Sequence, residues 1–256
     1  MQVETFSTLQ EAASALNERT QFLAGGTIVM RAVTYGDQGF DTILRSRQID
    51  RSIGTGVGGL RIGAGATMSD VLASRDVDFL HPVARAIGGP QVRNMATVGG
   101  NIFALNPYGD FAVALLALDA QVIMTDGGTR SLGDVLAGRG RPRGLVQAVT
   151  IPRPAHDTFR FRKVSRVKPK GVSVMSIAAH LKRGDPRIAF GNMAPTPVRS
   201  IGAERALASD PHNITAACAA CLEGLSPVDD EMATEWYRRE VAPVHLRRLL
   251  QEGGRI

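Results

Sequence analysis

The sequence predicts an α+β fold, and two observations carry that expectation. Up to residue 151, short apolar strand-like runs alternate with short helical stretches, punctuated by glycine-rich turns. Pro152 and Pro154 then end a strand and mark a boundary near residue 155. Three further strand-like runs follow, and after them a mostly helical segment. With 256 residues the chain can form one large domain or two modest ones around a sizeable core.

Taken in order, residues 1–20 suggest a short strand and then a helix from Leu9 to Leu16, capped by Ser7 or Thr8. Phe22 to Ala24 reads as a strand feeding a first glycine loop, Ala24-Gly25-Gly26-Thr27, which continues into Ile28-Val29-Met30-Arg31. Phe40–Leu44 and Leu60–Ala64 read as strands. Gly54-Thr55-Gly56-Val57-Gly58-Gly59 lies between them as a hairpin turn, with a phosphate loop as the competing reading. Thr67 caps a helix to Ala73, and Pro82 to Ile87 is a second helix.

The rest of the chain is organised around residues 88–120. Ala96-Thr97-Val98-Gly99-Gly100-Asn101 places two glycines where a backbone turns tightly or approaches a ligand. Gly99 and Gly100 can aim consecutive N–H groups at one anion, and Asn101 adds an amide that both donates and accepts. Asp110 has two readings: a cap for the apolar helix Phe111–Leu118, or a carboxylate that accepts hydrogen bonds from sugar hydroxyls. A phosphate cradle followed by such a carboxylate suits a nucleotide. Neither glycine stretch is GxGxxG or GxxxxGK[ST], so the dinucleotide and P-loop fingerprints do not apply.

Phe111–Leu118 is apolar on nearly every face and should be buried. Ala120–Thr125 is a strand, Gly127-Gly128 a hairpin turn, and Leu145–Ile151 the closing strand. Thr158–Val167 and Val172–Leu181 form an antiparallel pair joined through Lys168-Pro169-Lys170-Gly171. Ile188–Asn192 adds a third strand, and 201–250 is mainly helical.

Composition excludes several classes. Hydrophobic content is 44% and charged content 21%, ordinary globular values, so disorder is not expected. No apolar run reaches the roughly 18 residues of a membrane span, and Met1–Phe6 lacks the marks of a secretory signal. The net charge of +6 raises a nucleic-acid reading. However, the basic residues are dispersed, with local density only at 139–143 and 160–170, and no nucleic-acid-binding module is present. Two cysteines give no disulfide framework, which fits a reducing cytoplasm. Cys218 and Cys221 form a lone CxxC on a predicted helix, where core packing accounts for them better than half a metal site does. The five histidines form no catalytic or metal-binding grouping.

The motif AGGT at 24–27 together with QVRNMATVGGNIFALNPYGD at 91–110 resembles the FAD-binding subunit of molybdenum hydroxylases. That group includes the medium subunit of carbon monoxide dehydrogenase and the flavin domain of xanthine dehydrogenase. The resemblance extends through Leu60–Thr67 to Ala194–Arg199 and so spans nearly the whole chain. It implies an FAD-binding PCMH-type domain of two α/β lobes at residues 1–155. A small C-terminal domain would follow at 156–256, with a three-stranded antiparallel sheet and helices.

It also implies that the FAD pyrophosphate lies between two glycine loops, so that Ala24, Gly25, Gly26, Thr27, Thr97, Val98, Gly99, Gly100, Asn101 and Asp110 line the cofactor. Ile28 departs from the pattern, standing where a polar residue is common; backbone contacts would survive this. Ile87 matches a hydrophobic cofactor contact, with core packing as the other reading, and Val146 matches a contact from the closing strand. Lys163 matches a lysine that reaches the flavin, where a positive charge would stabilise the anionic reduced form; the alternative is a solvated strand lysine. No His or Cys stands within the loops, so the FAD is expected to be non-covalent.

By the same resemblance, a large partner subunit carries the molybdenum cofactor and a small iron–sulfur subunit carries [2Fe-2S] clusters. This chain's FAD would take electrons from the latter and pass them to a final acceptor, in a cytoplasmic hetero-oligomer. The surplus positive charge suits an acidic partner or the FAD phosphates. The alternative is a stand-alone flavin-dependent oxidase or reductase of the same broad fold. That would need its own acid–base residues, and none is legible.

Overall fold

A computed structural model describes residues 1–36, 39–138, 144–167 and 171–252. The basic cluster 139–143 and the connection 168–170 lie outside the described residues. The first lobe comprises β1 (Gln2–Phe6), α1 (Leu9–Ser14), β2 (Thr20–Phe22), α2 (Val29–Tyr35) and β3 (Thr42–Ser46). Its sheet is parallel, in the order β1-β3-β2, with Thr42 opposite both Gln2 and Thr20. Thr8 caps α1 through a reciprocal capping box with Glu11.

The second lobe holds β4 (Ile53–Gly56), β5 (Gly59–Gly63), α3 (Met68–Ala73), a 3₁₀ segment at Arg75–Leu80, α4 (His81–Arg85) and α5 (Pro90–Met95). It continues through α6 (Val98–Ile102), α7 (Asp110–Ala117), β6 (Gln121–Met124), β7 (Thr129–Ser131), α8 (Leu132–Ala137) and β8 (Val146–Ile151). Its five-stranded antiparallel sheet runs β4-β5-β8-β6-β7. The hairpin reading of residues 54–59 holds, although Gly54–Gly56 belong to β4 and the turn itself is Val57-Gly58.

The C-terminal part contains β9 (Phe159–Ser165), β10 (Ser173–His180), β11 (Arg187–Gly191), β12 (Val198–Arg199), α9 (Ile201–Ser209), α10 (Ile214–Ala220) and α11 (Glu235–Gln251). Its antiparallel sheet has four strands, β12-β11-β10-β9, one more than the sequence suggested. The extra strand is two residues long and follows Pro195 and Pro197, too short for any alternation to show.

Every residue of α7 is buried. The helix packs between the second lobe and β10 and β11, and the main core runs continuously from Leu60, Phe111 and Leu115 to Ala178 and Ala189 of the C-terminal sheet. Fully burying Phe111 or Leu115 contributes about 1.5–3 kcal/mol each. Phe79 meets Phe159 edge to face at 6.0 Å across the same junction. A second core lies between the C-terminal sheet and its helices and contains Cys218 and Cys221. Burial raises both thiol pKa values, that of Cys221 to about 12, as suits packing rather than redox chemistry.

Candidate functional site

The first glycine loop runs from Leu23, hydrogen-bonded to Leu44 O at the end of the parallel sheet, into α2. Gly26 sits at φ +75°, the left-handed region that glycine favours. Gly25 is a point of close approach, because a Cβ there would lie 1.6 Å from Met95 O. The loop therefore rests directly on the backbone that leads into the central motif. Among the described residues, the backbone N–H groups of Gly25, Gly26, Thr27 and Ile28 have no hydrogen-bond partner. Gly25, Gly26 and Thr27 are half-buried, and Ile28 is exposed. Consecutive unpartnered N–H groups around a left-handed residue form an anion-binding concavity.

The central motif differs from the expected turn. Thr97 to Asn101 begins α6, capped by Thr97, whose Oγ1 accepts from the Gly100 N–H at 3.1 Å. Val98 N–H donates to Ala66 O at 2.8 Å and Gly99 N–H to Ala64 O at 2.9 Å. Asn101 N–H and Nδ2 both donate to Thr97 O, at 3.0 and 2.9 Å. The expectation that Gly99 and Gly100 offer free N–H groups to an anion is thus overturned: the loop at 64–66 and the Thr97 hydroxyl already accept them. Gly100 contributes space instead, since a Cβ there would meet only Thr97 Oγ1, at 3.0 Å.

This platform is anchored from below. Thr67 bridges to Thr97 and caps α3, and its N–H donates to Asp70 Oδ2 at 2.8 Å. Burial pushes the Asp70 pKa up, but the Thr67 N–H and the Arg51 guanidinium outweigh it and hold the carboxyl below its ordinary value.

Asp110 also departs from expectation. It is the first residue of α7, not its cap; Gly109 caps the helix at φ +93° without a side-chain bond. The Asp110 carboxylate is buried. Ser173 Oγ donates to its Oδ1 at 2.8 Å, and Lys163 Nζ lies 2.9 Å from its Oδ2. Lys163 donates as well to Ala86 O at 2.9 Å, and its side chain is 12% exposed. The solvated-lysine reading therefore fails, because Lys163 joins β9 to α7 and to the end of α4. Ile87, next to Ala86, is half-buried against the main core. The structure thus brings Ile87, Asp110 and Lys163 together. Val146 is 5% exposed and its side chain belongs to the core.

Two residues absent from the sequence reading join the walls. Arg31, on α2, donates to the Tyr108 hydroxyl, with its guanidinium 5.7 Å from the Tyr108 ring centre and 5.6 Å from that of Tyr35. Arg31 lies four residues beyond Thr27, one helical turn from the loop, and that spacing was the available signal. On the far side of the motif, Asn106 Nδ2 donates to Ala194 O at 2.9 Å, tying this loop to the C-terminal part.

Comparison with known proteins adds the following. Residues 1–154 match the family described as FAD binding domain in molybdopterin dehydrogenase, and residues 163–253 match CO dehydrogenase flavoprotein C-terminal domain. The glyceraldehyde dehydrogenase medium chain of Sulfolobus acidocaldarius is 27% identical, over 96% of this chain and 95% of that one. The xanthine dehydrogenase FAD-binding subunit of Escherichia coli O157:H7 is 27% identical, over 98% and 96%. The solved carbon monoxide dehydrogenase of Hydrogenophaga pseudoflava superposes with a TM-score of 0.86 over 98% of this chain and 96% of the matched one, at 23% identity, and so shares the fold.

Proposed function

The chain belongs to the family of FAD-binding domains in molybdopterin dehydrogenases, and from that membership we propose that it is the FAD-carrying, electron-transferring subunit of a molybdenum-dependent oxidoreductase. The observation that carries the assignment is the run of unpartnered N–H groups from Gly25 to Ile28, in a loop packed on the backbone at Met95 that leads into the motif where Gly100 leaves room beside it. These residues fit an anionic dinucleotide: the loop supplies donors for the diphosphate, and Ala24 to Thr27 bring the backbone close because Gly25 and Gly26 permit it. FAD, when bound, supplies reversible acceptance and release of electrons.

The protein supplies position and electrostatics. Val98, Gly99, Gly100 and Asn101 have their backbone N–H groups already bonded, and with Thr97 they form a wall that contacts the cofactor mainly through surface shape. Ile87 and the Asp110–Lys163 pair hold the far end, where the Lys163 ammonium keeps a third donor beyond Asp110 and Ala86 O for the flavin. Val146 supports this side from the core. We assign residues 1–155 to the FAD-binding domain and 156–256 to the C-terminal domain, the two family matches lying within those spans.

The partners follow from the relatives. This chain matches nearly the full length of proteins named as medium chains or FAD-binding subunits, so it corresponds to one member of an assembly. Its partners are a molybdenum-cofactor subunit and an iron–sulfur subunit bearing [2Fe-2S] clusters. No helix of the described residues is long and apolar enough to cross a membrane, and with Cys218 and Cys221 held as thiols we place the complex in the cytoplasm.

The test is to titrate FAD into the purified, deflavinated chain and follow the flavin spectrum. Saturable binding, with yellow cofactor released into the supernatant on acid precipitation, is the expected result. Absence of binding overturns the assignment, and flavin retained in the pellet overturns the non-covalent attachment.

A further inference from the structure

We propose that Arg31 and Tyr108 form a clasp that fixes the spacing of the two cleft walls and slows release of the cofactor. This rests on the FAD-binding reading above. The two walls come from segments far apart in sequence, the loop at 24–28 and the motif at 96–110. At one end they are joined by close packing, where Gly25 lies against Met95 O with no room for a Cβ. At the other end the Arg31 guanidinium bonds the Tyr108 hydroxyl and lies over the Tyr108 and Tyr35 rings. The unpartnered N–H groups of Gly25 to Ile28 belong to the wall held between these two joins.

Tyr108 is well placed to transmit the spacing. Its neighbour Gly109 packs against the carbonyls of Asn101 and Ala104, at 3.3 and 3.2 Å from its would-be Cβ. Asp110 follows as the first residue of α7. A shift of Tyr108 therefore moves the wall that carries Asn101 and the start of the buried helix together. Arg31 also has no carboxylate partner among the described residues, so its charge is not neutralised locally and favours an anionic ligand in the cleft. Guanidinium is the group suited to this double use, because it stacks on aromatic faces while its edge donates hydrogen bonds.

The test uses the full-length chain, deflavinated, with FAD as the probe. Affinity is read from the flavin absorbance change and the dissociation rate after dilution. Arg31→Met and Tyr108→Phe should each weaken FAD binding by about 5- to 20-fold, chiefly through faster dissociation, from loss of a charge-assisted bond at a partly exposed site. The double variant should be little worse than the worse single variant, because both remove the same join. Arg31→Lys, which keeps the charge and can still donate, should recover part of the loss. Should Arg31→Met melt earlier than the wild type, Tyr108→Phe, which keeps the ring, carries the test.

Single variants that bind FAD within about twofold of the wild type, or a double variant whose loss is the product of the two singles, would overturn the clasp while leaving the FAD assignment intact. A wild-type chain that binds no FAD would overturn both.

Discussion

Lys163→Met tests whether the Asp110–Lys163 pair joins the FAD-binding part to the C-terminal sheet. The ammonium lies 2.9 Å from Asp110 Oδ2, and the side chains are 12% and 7% exposed. Removing it leaves a buried carboxylate with only the Ser173 hydroxyl, and leaves Ala86 O without that donor. Breaking a buried pair from one side costs about 3–5 kcal/mol, because the remaining charge is uncompensated. For a chain of this size, with about 2–4 °C per kcal/mol, the apo-protein should melt about 6–20 °C lower. Adding Asp110→Asn removes the stranded charge, so the double variant should recover part of the loss instead of adding to it. The exposed Arg19–Asp41 pair is the control, and Arg19→Met should leave the melting temperature nearly unchanged. A drop of under about 3 °C for Lys163→Met, or strictly additive losses in the double variant, would refute a buried interdomain pair.

Further outcomes follow from other contacts. Gly25→Ala places a methyl where Met95 O stands 1.6 Å away, against backbone that cannot rotate aside. It should lower the stability of the apo-protein by at least about 1–3 kcal/mol and weaken FAD binding at the same time, as thermal melts and flavin titration would show. His180 is held below its ordinary pKa, first by burial and then by the Lys182 and Arg187 charges. The folded state thus binds its proton less readily than the unfolded chain. The contribution is complete above about pH 6.5 and is lost as pH falls toward the lowered folded value, so urea midpoints should decline over that range and decline less in His180→Gln. Because the thiol pKa of Cys221 is pushed to about 12 and that of Cys218 is also raised, neither should react with a thiol reagent at pH 8 in the native protein. Both should react after unfolding.

How much of this was legible in the sequence depended on how local the cause was. Thr67 announced its cap, and the first helix's cap was narrowed to Ser7 or Thr8, of which the structure uses Thr8, because a capping box is complete within four residues. The buried helix Asp110–Ala117 was visible in its unbroken apolar run, though its start lay one residue earlier than expected because Gly109, not Asp110, caps it. The central motif was misread as a free turn because glycine pairs signal turns. What makes it a helix is remote: the carbonyls of Ala64 and Ala66 accept its first N–H groups. For Lys163 the sequence left a flavin contact and a solvated strand lysine both open, since its partner Asp110 stands 53 residues away. Both glycine-rich stretches stood out in the sequence, but that the first is a loop with free donors and the second a helix start with its donors bonded was a matter of tertiary hydrogen bonding. Tyr108 escaped notice for the same reason, and Arg31 had only its spacing of one helical turn from Thr27 to mark it.

The most direct test of FAD binding in this cleft is Gly100→Val. A Cβ at this position meets only Thr97 Oγ1, at 3.0 Å, which has to give by a few tenths of an ångström, and on the proposed placement the γ-methyl groups enter the space assigned to the cofactor. Inside α6, exchanging glycine for a residue of higher helix propensity does not by itself destabilise the turn. The prediction is therefore an apo-protein that melts within about 3 °C of the wild type but no longer binds FAD in a flavin titration. A folded Gly100→Val protein that binds FAD with wild-type affinity would contradict the placement of the cofactor against this motif.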